Sequence, residues 1–143
     1  PTLDGLMTLM HELGRRMPYT PGVTDAATPA AEAFAGASGV CQDHAQVFAC
    51  CARLLGVPTR YVSGYLAADA EHVASHAWAE VRLGEGWLGF DVSNQCLADG
   101  RYVKLAIGAD YLDACPVRGV RVAGAREKLS GQALIEQAQQ ANQ

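Results

Sequence analysis

No stretch of the 143 residues approaches the roughly 20 consecutive apolar residues that a membrane-spanning helix needs, so no membrane partner is expected. Basic residues are scarce: 11 Lys and Arg stand against 15 Asp and Glu, for a formal charge of −4, and none of them cluster. That excludes the electrostatic footprint of a nucleic-acid binder. The acidity is mild and spread out, so it points to no partner of its own. No secretory-signal pattern opens the chain. The five cysteines, Cys41, Cys50, Cys51, Cys96 and Cys115, are odd in number and two are adjacent, which makes a poor disulfide framework. Reduced thiols and a cytoplasmic location are the expectation. Metal-ligand spacing is also missing. Cys41 and His44 are three apart, but a zinc site wants four protein ligands, or three and a water, and Cys96 and Cys115 do not fit. Neither a metal nor a cofactor is expected. Without internal repeats or a linker, residues 1–143 read as one domain, long enough for a real core.

What is present is a cysteine in a telling place. Gly39-Val40-Cys41-Gln42-Asp43-His44 follows a Gly/Ser turn and opens the most apolar run of the chain, Ala45 to Leu55, which ends at Gly56-Val57-Pro58. A Gly/Ser turn before such a run is a helix start, and Gly then Pro is a stop. The spacing predicts a helix from Cys41 to Leu55, apolar nearly all round and therefore buried, with Cys50 and Cys51 as small core residues. Unpaired N–H groups and the helix dipole at its first turn favour a thiolate at Cys41. Such a cysteine is a candidate nucleophile that needs a base, and something to orient the base.

Before this helix, apolar residues from Leu3 to Leu13 recur with helical spacing. Tyr19 to Ala27 reads as loop, and Thr28-Pro29 should cap a short helix over Ala30 to Ala35. After Pro58 the pattern changes to strands: Thr59–Leu66, His76–Leu83, Gly86–Val92, Arg101–Ile107 and Val117–Ala123, with turn or helical turn over 109–115. Ala67–Ser75 and Ser93–Gly100 read as loops. The tail from Lys128 allows helix or strand. Helices followed by hairpin-linked strands give an α+β fold with a buried helix packed on an antiparallel sheet.

His76 and Asp91 are the natural complement to Cys41. A thiol needs an imidazole to take its proton, and the imidazole needs a carboxylate on its far nitrogen to fix its tautomer. The hairpin makes this testable. If Gly84-Glu85 is a two-residue type II′ loop, paired positions sum to 169, as Leu83 and Gly86 do. Asp91 then faces Trp78 and shares a sheet face with His76, as a diagonal neighbour about 7–8 Å away. A three-residue loop without a bulge would turn Asp91 to the opposite face.

These residues resemble the bacterial transglutaminase-like superfamily. The resemblance rests on Gly39-Val40-Cys41-Gln42-Asp43, Arg60-Tyr61-Val62-Ser63-Gly64-Tyr65-Leu66, His76-Ala77-Trp78-Ala79-Glu80-Val81 and Gly86-Trp87-Leu88-Gly89-Phe90-Asp91. Arg101-Tyr102-Val103 and Pro116 to Val120 continue it. The resemblance implies a papain-like core, a Cys-His-Asp triad at Cys41, His76 and Asp91, cysteine protease or amidase activity on a peptide or amide substrate, and a final strand in the tail. His44 stands where an aromatic residue is expected.

The remaining candidates are less marked. The Cys41 N–H is the natural first oxyanion donor, and the Gln42 side chain is a candidate second. His44 reads as a pocket-rim or surface residue. Asp43 should satisfy first-turn N–H groups. Tyr65 is a pocket wall or sheet packing, and Trp78 is packing or a substrate platform. His72 reads as solvated. Three functions follow: hydrolysis through an acyl-enzyme, acyl transfer from glutamine to an amine, or a catalytically silent papain-like binding domain.

Overall fold

The computed structural model describes residues 1–68, 73–119, 122–124 and 130–136. Helix α1, Leu3–Arg16, begins where the Thr2 hydroxyl accepts the Gly5 N–H. It runs a turn beyond the expected Leu13 because Arg15 and Arg16 suit the carbonyl end of its dipole. Leu6, Met10 and Leu13 form its buried stripe. Helix α2 covers Ala30–Ala35, but its cap is Pro29 rather than Thr28. The Thr28 hydroxyl instead closes a turn with Asp25, accepting its N–H at 3.0 Å.

Helix α3 covers Cys41–Leu54 and lies on the sheet with Ala45, Val47, Phe48, Ala49 and Ala52 inward. It is not buried all round. Cys50 is exposed and Leu54 is 88% exposed, because α1, α2 and the sheet enclose only one side of it. Cys50 is therefore no core residue, while Cys51 packs partly against the core.

Five strands follow: β1 Thr59–Ala67, β2 Val73–Leu83, β3 Gly86–Asp91, β4 Cys96–Leu97 and β5 Tyr102–Gly108. They form one antiparallel sheet in the order β4-β3-β2-β1-β5. Strand β2 starts earlier than expected, and β4 falls inside the expected 93–100 loop. No strand forms over the described part of 117–123, with Val120 and Arg121 outside the described residues. The described tail residues, 130–136, carry neither helix nor strand, and the rest of the tail call lies outside the described residues. Among the described residues no helix is long and apolar enough to cross a membrane.

The β2–β3 register holds Leu83 opposite Gly86 and Ala79 opposite Phe90, the odd-sum pairing of a two-residue loop. Gly84 takes a left-handed φ of 58°, which its lack of a Cβ permits, and Glu85 does not share it. One face of the sheet sends Ala79, Val81 and Phe90 into the helices, where Phe90 stacks on Phe48 at 5.1 Å. The other face carries Trp78. Gly64 and Gly89, on the strands flanking β2, leave room for its indole. A Cβ at either position would come within 2.9 Å or 3.2 Å of that ring.

The sheet also curls. Laid flat, β5 and β3 lie three strand spacings apart, about 14 Å. Yet the Tyr102 ring on β5 meets Trp78 at 5.3 Å, and its hydroxyl reaches Asp91 on β3 at 2.7 Å. Residues 98–101 alone link the sheet's two edge strands. The curl gathers three strands at one end, beside the start of α3.

Candidate active site

Cys41 opens α3 after Val40, whose extended backbone sets the helix entry and whose side chain offers no capping oxygen. Asp43 supplies that oxygen instead, as expected. Its Oδ2 accepts the Val40 N–H at 2.9 Å and the Thr24 hydroxyl at 2.5 Å. Cys41 is half-buried against Ala45, Tyr61, Ala77 and Ala114, which places it next to the chain neighbour of His76.

The His76 Nε2 lies 2.6 Å from Asp91 Oδ2. An ionised carboxylate only accepts, so Nε2 carries the proton and donates. Nδ1 is the ring nitrogen that Asp91 leaves over, and Cys41 lines the same cavity as this imidazole. Burial alone would lower the pKa of His76. The bond to Asp91 and the contact with Cys41 outweigh it, and the value is raised to about 9.

Asp91 is fully buried, and its oxygens are saturated. Oδ2 accepts His76, the Asn94 side-chain amide at 2.7 Å and the Tyr102 hydroxyl at 2.7 Å, while Oδ1 accepts the Asn94 backbone N–H at 3.1 Å. Burial pushes its pKa up, but these bonds and the imidazolium charge hold it below the usual carboxylate value. Tyr102 in turn lies near the Cys96 sulfur at 3.4 Å, and its ring packs on His76. Burial, then Cys96 and Asp91, push the Tyr102 pKa upward, so the phenol stays a donor.

Sequence reasoning missed Tyr102 and Asn94 as parts of this arrangement. The Asp-x-x-Asn spacing at Asp91 is an Asx-turn signal that could have flagged Asn94. Nothing local could flag Tyr102, because the curl of the sheet brings it across.

Cys41, His76, Gln42, Tyr61, Ser63 and Ser75 face a common cavity of about 280 Å³. Gln42 lines it, but its side-chain amide donates to the Ala26 carbonyl at 3.2 Å. The other candidates lie elsewhere. His44 is neither rim nor surface: it is 2% exposed, donates from Nε2 to the Met17 carbonyl at 2.7 Å, and pairs through Nδ1 with the Ser93 hydroxyl at 2.8 Å. Burial outweighs the Met17 bond and lowers its pKa, so it ties the chain after α1 to the loop after β3 as a neutral ring. Tyr65 borders a different cavity, with Val73, Ser75 and residues 131–134. Trp78 is 2% exposed and packs behind His76, at 6.4 Å and 26° between ring planes, so it supports the imidazole and is no substrate platform. His72 lies outside the described residues.

Residues 1–92 match the core of the transglutaminase-like superfamily. An uncharacterized protein of Mycobacterium tuberculosis is 35% identical over 133 residues, covering 84% of this chain and 42% of the relative. One from Mycobacterium leprae is 34% identical over 112 residues, covering 73% and 40%. The crystal structure of a "putative cysteine protease" from Cytophaga hutchinsonii superposes with a TM-score of 0.72 at 28% identity, over 80% of this chain and 39% of that one. The chain thus spans well under half the length of the relatives it matches.

Proposed function

This chain belongs to the transglutaminase-like superfamily, with an α+β papain-like fold, and on that footing we propose that it cleaves amide or peptide bonds through a thioester on Cys41. One observation carries the reading: Cys41 and His76 line one cavity, and His76 is bonded to a fully buried, four-fold bonded Asp91. The chemistry follows from that order. The Cys41 proton rests on Nδ1 of His76, and the sulfur attacks the carbonyl carbon as a thiolate. The leaving amine takes the proton back from the imidazolium. With its pKa raised to about 9, His76 holds a proton throughout neutral pH, the state needed to protonate that amine. Asp91 keeps Nε2–H occupied, so Nδ1 is the nitrogen left to work. Water then hydrolyses the thioester. Similarity to the Cytophaga protein favours water over an amine as the acceptor.

The test compares wild type with Cys41→Ala on a peptide library, and on a glutamine-donor peptide with a labelled amine. Wild type should cleave peptides, and the variant should lose at least about 10³-fold in rate. Wild-type turnover by the variant sinks the reading. Amine incorporation without cleavage reassigns the activity to acyl transfer.

A further inference from the structure

Attack on a carbonyl drives negative charge onto its oxygen, and a thiol acyl-transfer site needs donors already aimed at that oxygen. The Cys41 N–H at the start of α3 is one. The sequence offered Gln42 as the second, but one N–H of its amide is drawn to the Ala26 carbonyl in a solvent-exposed bond, which gives the group no rigid, dry support. The Ser63 hydroxyl donates to the Ala114 carbonyl. The single Cys115 S–H goes to the Val117 carbonyl at 3.0 Å, so the Tyr111 hydroxyl donates to the Cys115 sulfur at 3.4 Å, and Ser75 lies in the exposed part of β2.

Tyr61 differs from all of these. It is 1% exposed, with its ring among Ala45, Ala77 and Ala114 and edge-on to Tyr111 at 6.4 Å. Its hydroxyl has no hydrogen-bond partner among the described residues, yet it is not a sealed orphan like the Trp78 indole nitrogen, and Tyr61 lines the Cys41 cavity. The phenol O–H therefore opens onto the cavity, free to donate to an oxygen that enters it. Burial first, then the nearby charge of Cys41, push its pKa upward, so the phenol keeps its proton while the enzyme works. Strand β1, flanked by β2 and β5, fixes it rigidly.

We propose that Tyr61 is the second oxyanion donor, its phenol hydrogen-bonding the acyl oxygen together with the Cys41 N–H. This rests on the acyl-enzyme reading above. In the step itself, the sulfur bonds to the carbonyl carbon as the C=O pair moves onto oxygen. Collapse restores the C=O and expels the leaving group, the thiol proton resides on His76, and Tyr61 retains its own.

Two reagents separate this role from any effect on the thiol. p-Nitrophenyl acetate acylates Cys41 through an oxyanion and releases p-nitrophenolate. Iodoacetamide alkylates the same sulfur by displacement, with no oxyanion. Tyr61→Phe should slow the acylation burst by about 10²–10³-fold, the usual cost of one such donor. Its alkylation rate and pH profile should match wild type, and its melting temperature serves to confirm folding. The proposal is overturned if acylation falls less than about threefold, or if acylation and alkylation fall together, since the phenol would then serve the sulfur. Cys41→Ala is the control for the underlying reading: a burst that survives in it sinks the acyl-enzyme itself, whereas a null result in Tyr61→Phe alone sinks only the donor role.

Discussion

Two buried carboxylates share one face of the sheet, and only one of them belongs to the candidate site. Glu80 and Asp91 are both nearly or fully inaccessible and both sit below the usual carboxylate pKa. In each case burial opposes the shift and bonded partners overcome it. The partners differ. Glu80 is held by Arg60 of β1 at 2.6 Å and Lys104 of β5 at 2.6 Å, and Arg60 also lies over the Trp87 ring at 4.1 Å. Among the described residues, that cluster holds no imidazole and no nucleophile. Asp91 is held by an imidazole, a phenol and an amide, and the imidazole looks onto a cysteine in a cavity. Burial and a depressed carboxylate therefore do not mark a site. A titratable partner with a nucleophile on its far side does.

The largest test of this contrast is Asp91→Asn, which keeps the shape but offers His76 no anion and can favour the wrong tautomer. Acylation of Cys41 should fall by about 10³–10⁴-fold, by analogy with the corresponding loss in serine-protease triads. A fall under tenfold would make Asp91 as structural as Glu80. Next is pH. His76 is raised to about 9 against an ordinary 6.5, so what its partners contribute is present below 6.5 and lost as pH rises through about 9. Amide turnover should decline along that limb, about tenfold per unit beyond it, as the imidazolium disappears. An alkaline limb near 6.5 would mean that Asp91 and Cys41 do not bias the ring. The smallest effect is expected at the other carboxylate. Glu80→Gln should cost about 1–2 kcal/mol in denaturant unfolding, because Arg60 is only partly buried and Lys104 is exposed. Its acylation rate should stay within about threefold of wild type. A larger loss would show that the two clusters are coupled through β2.

Several features of the site were legible without coordinates because they are local. A Gly/Ser turn, an apolar run and a Gly-Pro stop define a helix start at any position in a fold, which places Cys41. The Gly84-Glu85 pair sets a register, and register alone puts Asp91 on the face of His76. His44 was misplaced for the opposite reason. Sequence position put it one turn from a candidate nucleophile, but its surroundings, Met17 and Ser93, come from segments far away in the chain. The expected burial of Cys50 failed similarly, since an apolar composition says how much of a helix could be covered and not which side is.

The sequence alone determined the helix-borne cysteine, the hairpin register and the order of the three site residues, because these follow from short-range dihedral preferences and strand alternation. Only the tertiary structure decided that Tyr102 and Asn94 would saturate Asp91, that Gln42 would be drawn to Ala26, and that Tyr61 would line the Cys41 cavity with a hydroxyl that no other described residue engages. Those outcomes depend on how far the sheet curls and which segments meet across it, and packing over long sequence separations sets both.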